Sequence, residues 1–337
     1  MTRDAHAFVT QAGWQSASRA PLAGDASNRR YERLTAPDGH TAVLMDAPPE
    51  TGENTRPFVR IARYLKGVGL SAPEILHHDD DAGFLLIEDL GDRLFAREMA
   101  TDPAQERPLY HAAAGVLSVL HRAEPPGLLP YASETTVPLA ALAYDWYLFG
   151  ATGAEGTSLK QAFSRAFKSV IAPLDKDLNV LIQRDYHAEN LLWLPDREGA
   201  ARVGLLDFQD AMLGHRAYDL VSILQDARRD VSRAVEAEVK SAFVAGQQLD
   251  PVAFDAAYAI FGFQRNMRIL GGFSRLCMRN GKAHYVDLIP RVWGHIQTNL
   301  EHPALHPVKD LIARDLPAPT PEIQARLKEE CGKWAGR

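Results

Sequence analysis

The chain has 337 residues, 46% of them hydrophobic and 24% charged, with a formal net charge of −6. That length buries a large core as one bilobed unit or two domains, and the composition is that of an ordinary globular protein. The acidic balance argues against non-specific nucleic-acid binding, and no apolar run reaches the roughly 20 residues a bilayer demands.

Residues 1–6 lack the basic-then-apolar pattern of a secretory leader. Cys277 and Cys331 show no metal-ligand spacing, as expected of free thiols in a cytoplasmic enzyme. Residues 5–15 predict a short helix. Residues 23–30 are polar and contain glycine, and with their flanks they read as strand–turn–strand; residues 41–45 are the next strand. Phe58, Ile61, Ala62 and Leu65 recur at helical spacing and predict a helix over 58–68. Residues 73–76 and 83–88 read as two more strands around an acidic turn.

Beyond residue 109 the pattern is mostly helical, over 110–122, 139–149, 159–174, 217–226, 232–247, 251–279 and 284–300. Three apolar runs interrupt it, at 180–182, 191–194 and 203–206, and read as short buried strands. The proline-rich stretch 316–321 marks an exit from the core before a short terminal helix. The expected fold class is α+β: a small β-rich lobe over 1–90, and a larger, mostly helical lobe over 91–337.

The three short strands carry the chemistry. Asp185 follows the first, Asn190 precedes the second, and Asp207 ends the third run. Phosphoryl transfer needs a carboxylate beside the attacking hydroxyl and oxygen ligands for Mg²⁺ on the triphosphate; Asp185 fits the first task, Asn190 and Asp207 the second. Strands would hold all three on loops that a rigid scaffold can aim.

On these residues the chain resembles the aminoglycoside phosphotransferase (APH/choline kinase-like) superfamily, whose fold is bilobal and protein-kinase-like. The family's H-G-D-x-x-x-x-N loop corresponds to Gln183-Arg184-Asp185 through Asn190, its I-D-[FW]-x-D segment to Leu206 through Asp210, and its G-x-x-x-Y-D-L to Gly214 through Tyr218-Asp219-Leu220. Within it the chain is most similar to the anomeric N-acetylmuramate/N-acetylglucosamine kinases of cell-wall recycling, on residues 24–31, 45–49 and 264–271. The resemblance implies an ATP- and Mg²⁺-dependent kinase that makes a sugar 1-phosphate in the cytoplasm, with no nucleic-acid or membrane partner. The rivals are an aminoglycoside or other small-alcohol phosphotransferase, and a non-catalytic nucleotide-binding regulatory protein.

The resemblance also implies where the nucleotide binds. Residues 24–30 occupy the place of the loop over the triphosphate, where Ser27, Asn28 and Arg29 add donors to backbone N–H groups. Residues 88–91 form the lobe junction, where Glu88 and Leu90 would present backbone groups to the adenine edge. One departure stands out. Kinases place a lysine on the third strand to hold the phosphates; residues 41–46 contain none, and Met45 takes the position. Arg29, Arg30 or Arg33 supplies the missing charge, or the metal suffices; Glu53 is the nearest candidate for a paired helix glutamate.

On the acceptor side, Arg265, Arg268 and Arg275 fall near 0°, 300° and 280° on a helical projection of about 100° per residue. Such a cationic stripe suits a carboxylate, as on N-acetylmuramate, and would repel a polycationic aminoglycoside; the alternative is a solvated or ion-paired helix face. His187 either touches the acceptor or orients the loop. Asp210 either bonds a sugar hydroxyl or caps the next turn. Asp219, by resemblance, braces the catalytic loop.

Overall fold

The computed structural model describes residues 3–22 and 28–336. The chain divides into two compact units, residues 1–126 with 183–211, and residues 127–182 with 212–337. In chain order the strands are β1 (Ser18–Pro21), β2 (Arg30–Thr35), β3 (Thr41–Asp46), β4 (Ile75–Asp79), β5 (Phe84–Glu88), β6 (Val180–Ile182), β7 (Leu191–Trp193), β8 (Val203–Leu205) and β9 (Met212–Gly214). The helices are α1 (Ala5–Gln11), α2 (Arg56–Gly67), α3 (Phe95–Thr101), α4 (Glu106–Leu120), α5 (Ser133–Ala140), α6 (Phe149–Thr152), α7 (Thr157–Ile171), α8 (Ala217–Leu224), α9 (Arg233–Gly246), α10 (Pro251–Met278), α11 (Ile289–Leu300), α12 (His306–Asp315) and α13 (Pro321–Glu329).

The first unit is built on a five-stranded antiparallel sheet in the order β1-β2-β3-β5-β4. The most apolar strand, β3, takes the centre, while β1, exposed along its length, takes an edge. Phe8 and Val9 of α1 cover one face, packing with Leu34, Ala42, Leu44, Phe84 and Leu86. Strand alternation puts Tyr31, Arg33, Val43 and Met45 on the opposite face. Asp4 caps α1 by accepting from the N–H groups of His6 and Ala7. α2 buries Phe58, Val59, Ile61, Ala62 and Leu65, the helical stripe legible in the sequence. The hairpin β7–β8 belongs to this unit and is tied by Ser71, whose hydroxyl donates to the Ala201 carbonyl at 2.6 Å.

The second unit is helical and centred on the 28-residue α10, which packs against α5, α8 and α11. At Gly271 a Cβ would collide with the backbone of Leu142 and Ala143, so glycine permits this approach. β6 pairs with β9, Val180 opposite Gly214.

Several elements differ from the sequence-based expectation. The helix expected over 139–149 is broken: α5 ends at Ala140, two residues past Pro138, and Ala143–Leu148 is π-helical. The helix expected over 284–300 starts at Ile289, where Pro290 suits the first turn; Ala283–Leu288 is a 3₁₀ turn. The first helix stops at Gln11, with Gly13 at φ 81° just beyond. α3, α12 and the three-residue β9 have no counterpart among the predicted elements. Among the described residues, no helix is long and apolar enough to cross a membrane.

Candidate active site

Two loops of the first unit carry the predicted chemistry, and hydrogen bonds fix both. In the first, the Tyr186 hydroxyl donates to the Ala113 carbonyl of α4 at 2.9 Å, and the Ala96 N–H of α3 donates to the Ala188 carbonyl at 3.0 Å. The Asn190 N–H closes the loop on the His187 carbonyl at 2.8 Å. In the second, Leu206 N–H donates to the Asn190 carbonyl at 3.0 Å, and Phe208 is fully buried, its ring centroid 4.8 Å from that of Phe58 in α2.

The polar side chains converge between these anchors. Asn190 Nδ2 donates to the Asp185 carbonyl at 2.9 Å and approaches Asp207 Oδ2 at 3.4 Å. Gln209 Nε2 donates to Asp207 Oδ1 at 2.6 Å. Arg184 and Asp207 are non-glycine residues in the left-handed region, at φ 72° and φ 54°. Such backbone costs about 1 kcal/mol or more and persists where surrounding contacts over-determine it.

The donor set fits a hard divalent cation. Tying Nδ2 of Asn190 to a carbonyl turns its Oδ1 outward, beside the Asp207 carboxylate. Two protein oxygens, with waters and phosphate oxygens completing the shell, are what Mg²⁺ accepts. No cluster of three or more His, Cys, Asp or Glu residues suited to a metal occurs among the described residues.

These side chains close one end of a cavity of about 340 Å³ in the first unit, reached by Asn190, Asp207 and Gln209. Val43, Ile87 and Leu192 give it apolar walls. Residues 88–92, just past β5, supply the opposite end. This segment is held by arginines. Arg33 Nε lies 2.6 Å from Asp89 Oδ2, and its Nη1 lies 2.8 Å from Asp92 Oδ2. The hydrogen bond from Arg33 holds the Asp92 carboxyl below its ordinary range. Arg197 pairs with Glu88.

The predicted residues fall as follows. Asp185, Asn190 and Asp207 come together, with buried His187 beside them, its Nε2 3.4 Å from Asn190 Nδ2. Glu88 and Leu90 line the cavity. Met45 is fully buried on the cavity-facing side of β3. Asn28 N–H donates to Glu53 Oε1 at 3.3 Å, and Arg29 Nε donates to Glu53 Oε2 at 2.8 Å. Ser27 lies outside the described residues. Asp210 is exposed, and its carbonyl accepts from Arg184 Nη1 at 3.3 Å.

The three arginines of the second unit do share α10 but not one surface. Arg265 is buried, with Nη1 3.4 Å from the Gln225 carbonyl; Arg268 donates to the Tyr218 hydroxyl at 3.2 Å; Arg275 is exposed. The projection captures angle only, whereas about 1.5 Å of rise per residue carries Arg275 some three turns past Arg265. Asp219 is fully buried in α8. Gln209, Asp92 and Arg197 were not among the predicted site residues. Gln209 was accessible as the neighbour of Asp207 in its motif; Arg197 carries no sequence signal, since only folding brings it to Glu88.

The sequence model of the phosphotransferase enzyme family (APH) matches residues 18–260. The chain belongs to this family. Among curated family relatives, an N-acetylmuramate/N-acetylglucosamine kinase of Caulobacter vibrioides is 38% identical, over 93% of this chain and 96% of its own. One of the same name from Pseudomonas aeruginosa is 32% identical over 91% of each chain. Among solved structures, a choline/ethanolamine kinase family protein from Mesorhizobium loti superposes with a TM-score of 0.62 at 15% identity, covering 96% of this chain and 98% of its own. An amicoumacin kinase bound to AMP-PNP and Ca²⁺ gives 0.59 at 16% identity, covering 90% and 95%. The bilobal, kinase-like α+β fold expected from the sequence is therefore the fold of this APH-family chain.

Proposed function

We propose that this protein is an ATP- and Mg²⁺-dependent kinase that phosphorylates the anomeric hydroxyl of N-acetylmuramate and N-acetylglucosamine. The observation that carries the reading is the near full-length similarity to kinases bearing that name, at up to 38% identity. The convergence of Asp185, Asn190 and Asp207 at one end of a cavity supports it. Functionally, residues 1–90 serve as the nucleotide lobe, and residues 91–337 supply the catalytic loop, metal donors and acceptor groups. The 1-phosphate product fits cell-wall recycling in the cytoplasm, where ATP is available.

The chain's own groups divide the work. The adenine lies between Val43, Ile87 and Leu192, with its edge on the backbone of 88–90. Asp185 orients the sugar hydroxyl and accepts its proton as the oxygen attacks the γ-phosphorus. Asn190 and Asp207 hold Mg²⁺, which when bound neutralises charge on the phosphate oxygens. His187 holds Asn190 in its rotamer, and Asp210, through its carbonyl, anchors Arg184. We assign Arg265, Arg268 and Arg275 to acceptor recognition, where positive charge suits the lactyl carboxylate of N-acetylmuramate.

The test is Mg·ATP-dependent transfer to a panel of N-acetylmuramate, N-acetylglucosamine, galactose, choline and kanamycin, with Asp185→Asn as control. Transfer to the N-acetyl sugars giving an acid-labile 1-phosphate, reduced at least a hundredfold in the variant, is the expected result. Transfer to kanamycin or choline alone overturns the acceptor assignment.

A further inference from the structure

We propose that Arg29, held in place by Glu53, grips the nucleotide phosphates in the role that a third-strand lysine plays in other kinases. The proposal rests on the ATP-dependent kinase reading and deepens it. β3 contains no lysine, and its Met45 is fully buried, so no cation enters the cavity from that strand.

The neighbouring strand supplies one. Tyr31 and Arg33 of β2 line the cavity. Side chains two apart in an extended chain share a face, so Arg29, just before β2, falls on the same face as Tyr31. Arg33 is committed elsewhere, bonded to Asp89 and Asp92 at the far end of the cavity. Arg30 is exposed, lies opposite Asp46, and alternates onto the other face. Arg29 faces one carboxylate in its ion pair with Glu53, at 2.8 Å. A guanidinium that bonds a carboxylate through Nε still has a fork able to meet phosphate oxygens.

Burial and position add two arguments. The Arg29 and Glu53 side chains are only 12% and 14% exposed. Replacing such a pair with apolar residues of similar volume is often neutral or stabilising, so stability alone is a weak reason to keep it. Glu53 also lies just ahead of α2, whose Phe58 packs on Phe208 beside Asp207. The glutamate therefore fixes Arg29 relative to the metal-side carboxylate. It is a positioning residue, and Arg29 is the group that touches phosphate.

The experiment is calorimetric titration of the full chain with ATP, ADP and adenosine in Mg²⁺, for the unaltered protein and for Arg29→Met, Arg29→Lys and Glu53→Gln. Nucleotide binding needs no acceptor, so a wrong sugar assignment does not affect the readout. Arg29→Met should weaken ATP and ADP binding about 10- to 100-fold, the scale of a charge-assisted bond, and leave adenosine binding unchanged. Arg29→Lys should recover part of the loss, and Glu53→Gln should weaken ATP by a smaller factor. Unchanged ATP affinity in Arg29→Met overturns the proposal, and so does equal loss of ATP and adenosine, which signals a damaged cavity. An unaltered protein that binds no nucleotide sinks the kinase reading as well.

Discussion

Replacing Arg184 with glycine separates stability from catalysis in this loop. Arg184 sits at φ 72°, a region that costs an arginine about 1–2 kcal/mol and a glycine almost nothing. Against that relief stand two losses. Glycine gives the unfolded chain more freedom, about 0.4–1 kcal/mol. The bond from Nη1 to the Asp210 carbonyl, 3.3 Å long and exposed, is worth about 0.5 kcal/mol. The sum lies within about 1 kcal/mol of zero, so thermal unfolding should hardly move. Activity should move. The Arg184–Asp210 link ties the loop of Asp185 to the loop of Asp207, and a displacement of about 1 Å between reacting groups can cost a hundredfold in rate. A loosened tether should lower kcat about tenfold with the KM for ATP little changed. Thermal melts and steady-state kinetics of Arg184→Gly decide the matter. A loss of more than about 3 kcal/mol of stability, or an unaltered kcat, refutes the reasoning.

Asn190→Asp exchanges the amide that donates to the Asp185 carbonyl for a carboxylate beside Asp207, so stability without Mg²⁺ should fall by about 1–3 kcal/mol; added Mg²⁺ should raise the melting temperature more than it does for the unaltered protein. Gly271→Ala pushes a methyl into the rigid backbone of Leu142 and Ala143 and should cost about 3 kcal/mol or leave the protein insoluble, measured by urea unfolding. His215 and His295 have pKa values lowered from 6.5 to about 4, in each case mainly by burial. The unfolded chain therefore binds protons that the folded one refuses: stability is full above pH 6.5 and falls as the pH drops towards 4. A denaturation series across that window should show the decline, and replacing either histidine with glutamine should flatten it.

Local patterns were legible where local physics decides. The helical stripe of α2 and the apolar core of β3 are written in side-chain periodicity, and Asp185, Asn190 and Asp207 are close enough in sequence for strand–loop–strand spacing to bring them together. The broken helix after Ala140 was not legible, because its π-helical turn packs against α10 through the contact at Gly271, far along the chain. The arginine stripe on α10 was half legible. A projection gives angles, but burial of Arg265 depends on which helix lies over it, and Gln225 after α8 is what it meets.

Those unpredicted contacts share a cause. Around the cavity the holding groups are arginines whose partners lie far away in sequence: Arg33 with Asp89 and Asp92, Arg197 with Glu88, and Arg29 with Glu53. A lysine ammonium is a point charge on a flexible stem, whereas a guanidinium fork holds two acceptors in fixed directions. Arg33 shows the difference, since one side chain spans two carboxylates and so fixes the path of residues 89–92. A chain that places arginine on β2 can brace the segment after β5 and still offer a cation at the other end of the same strand face. That arrangement removes the need for a lysine on β3 and leaves the position free for Met45, which packs where a charge would otherwise have to be desolvated.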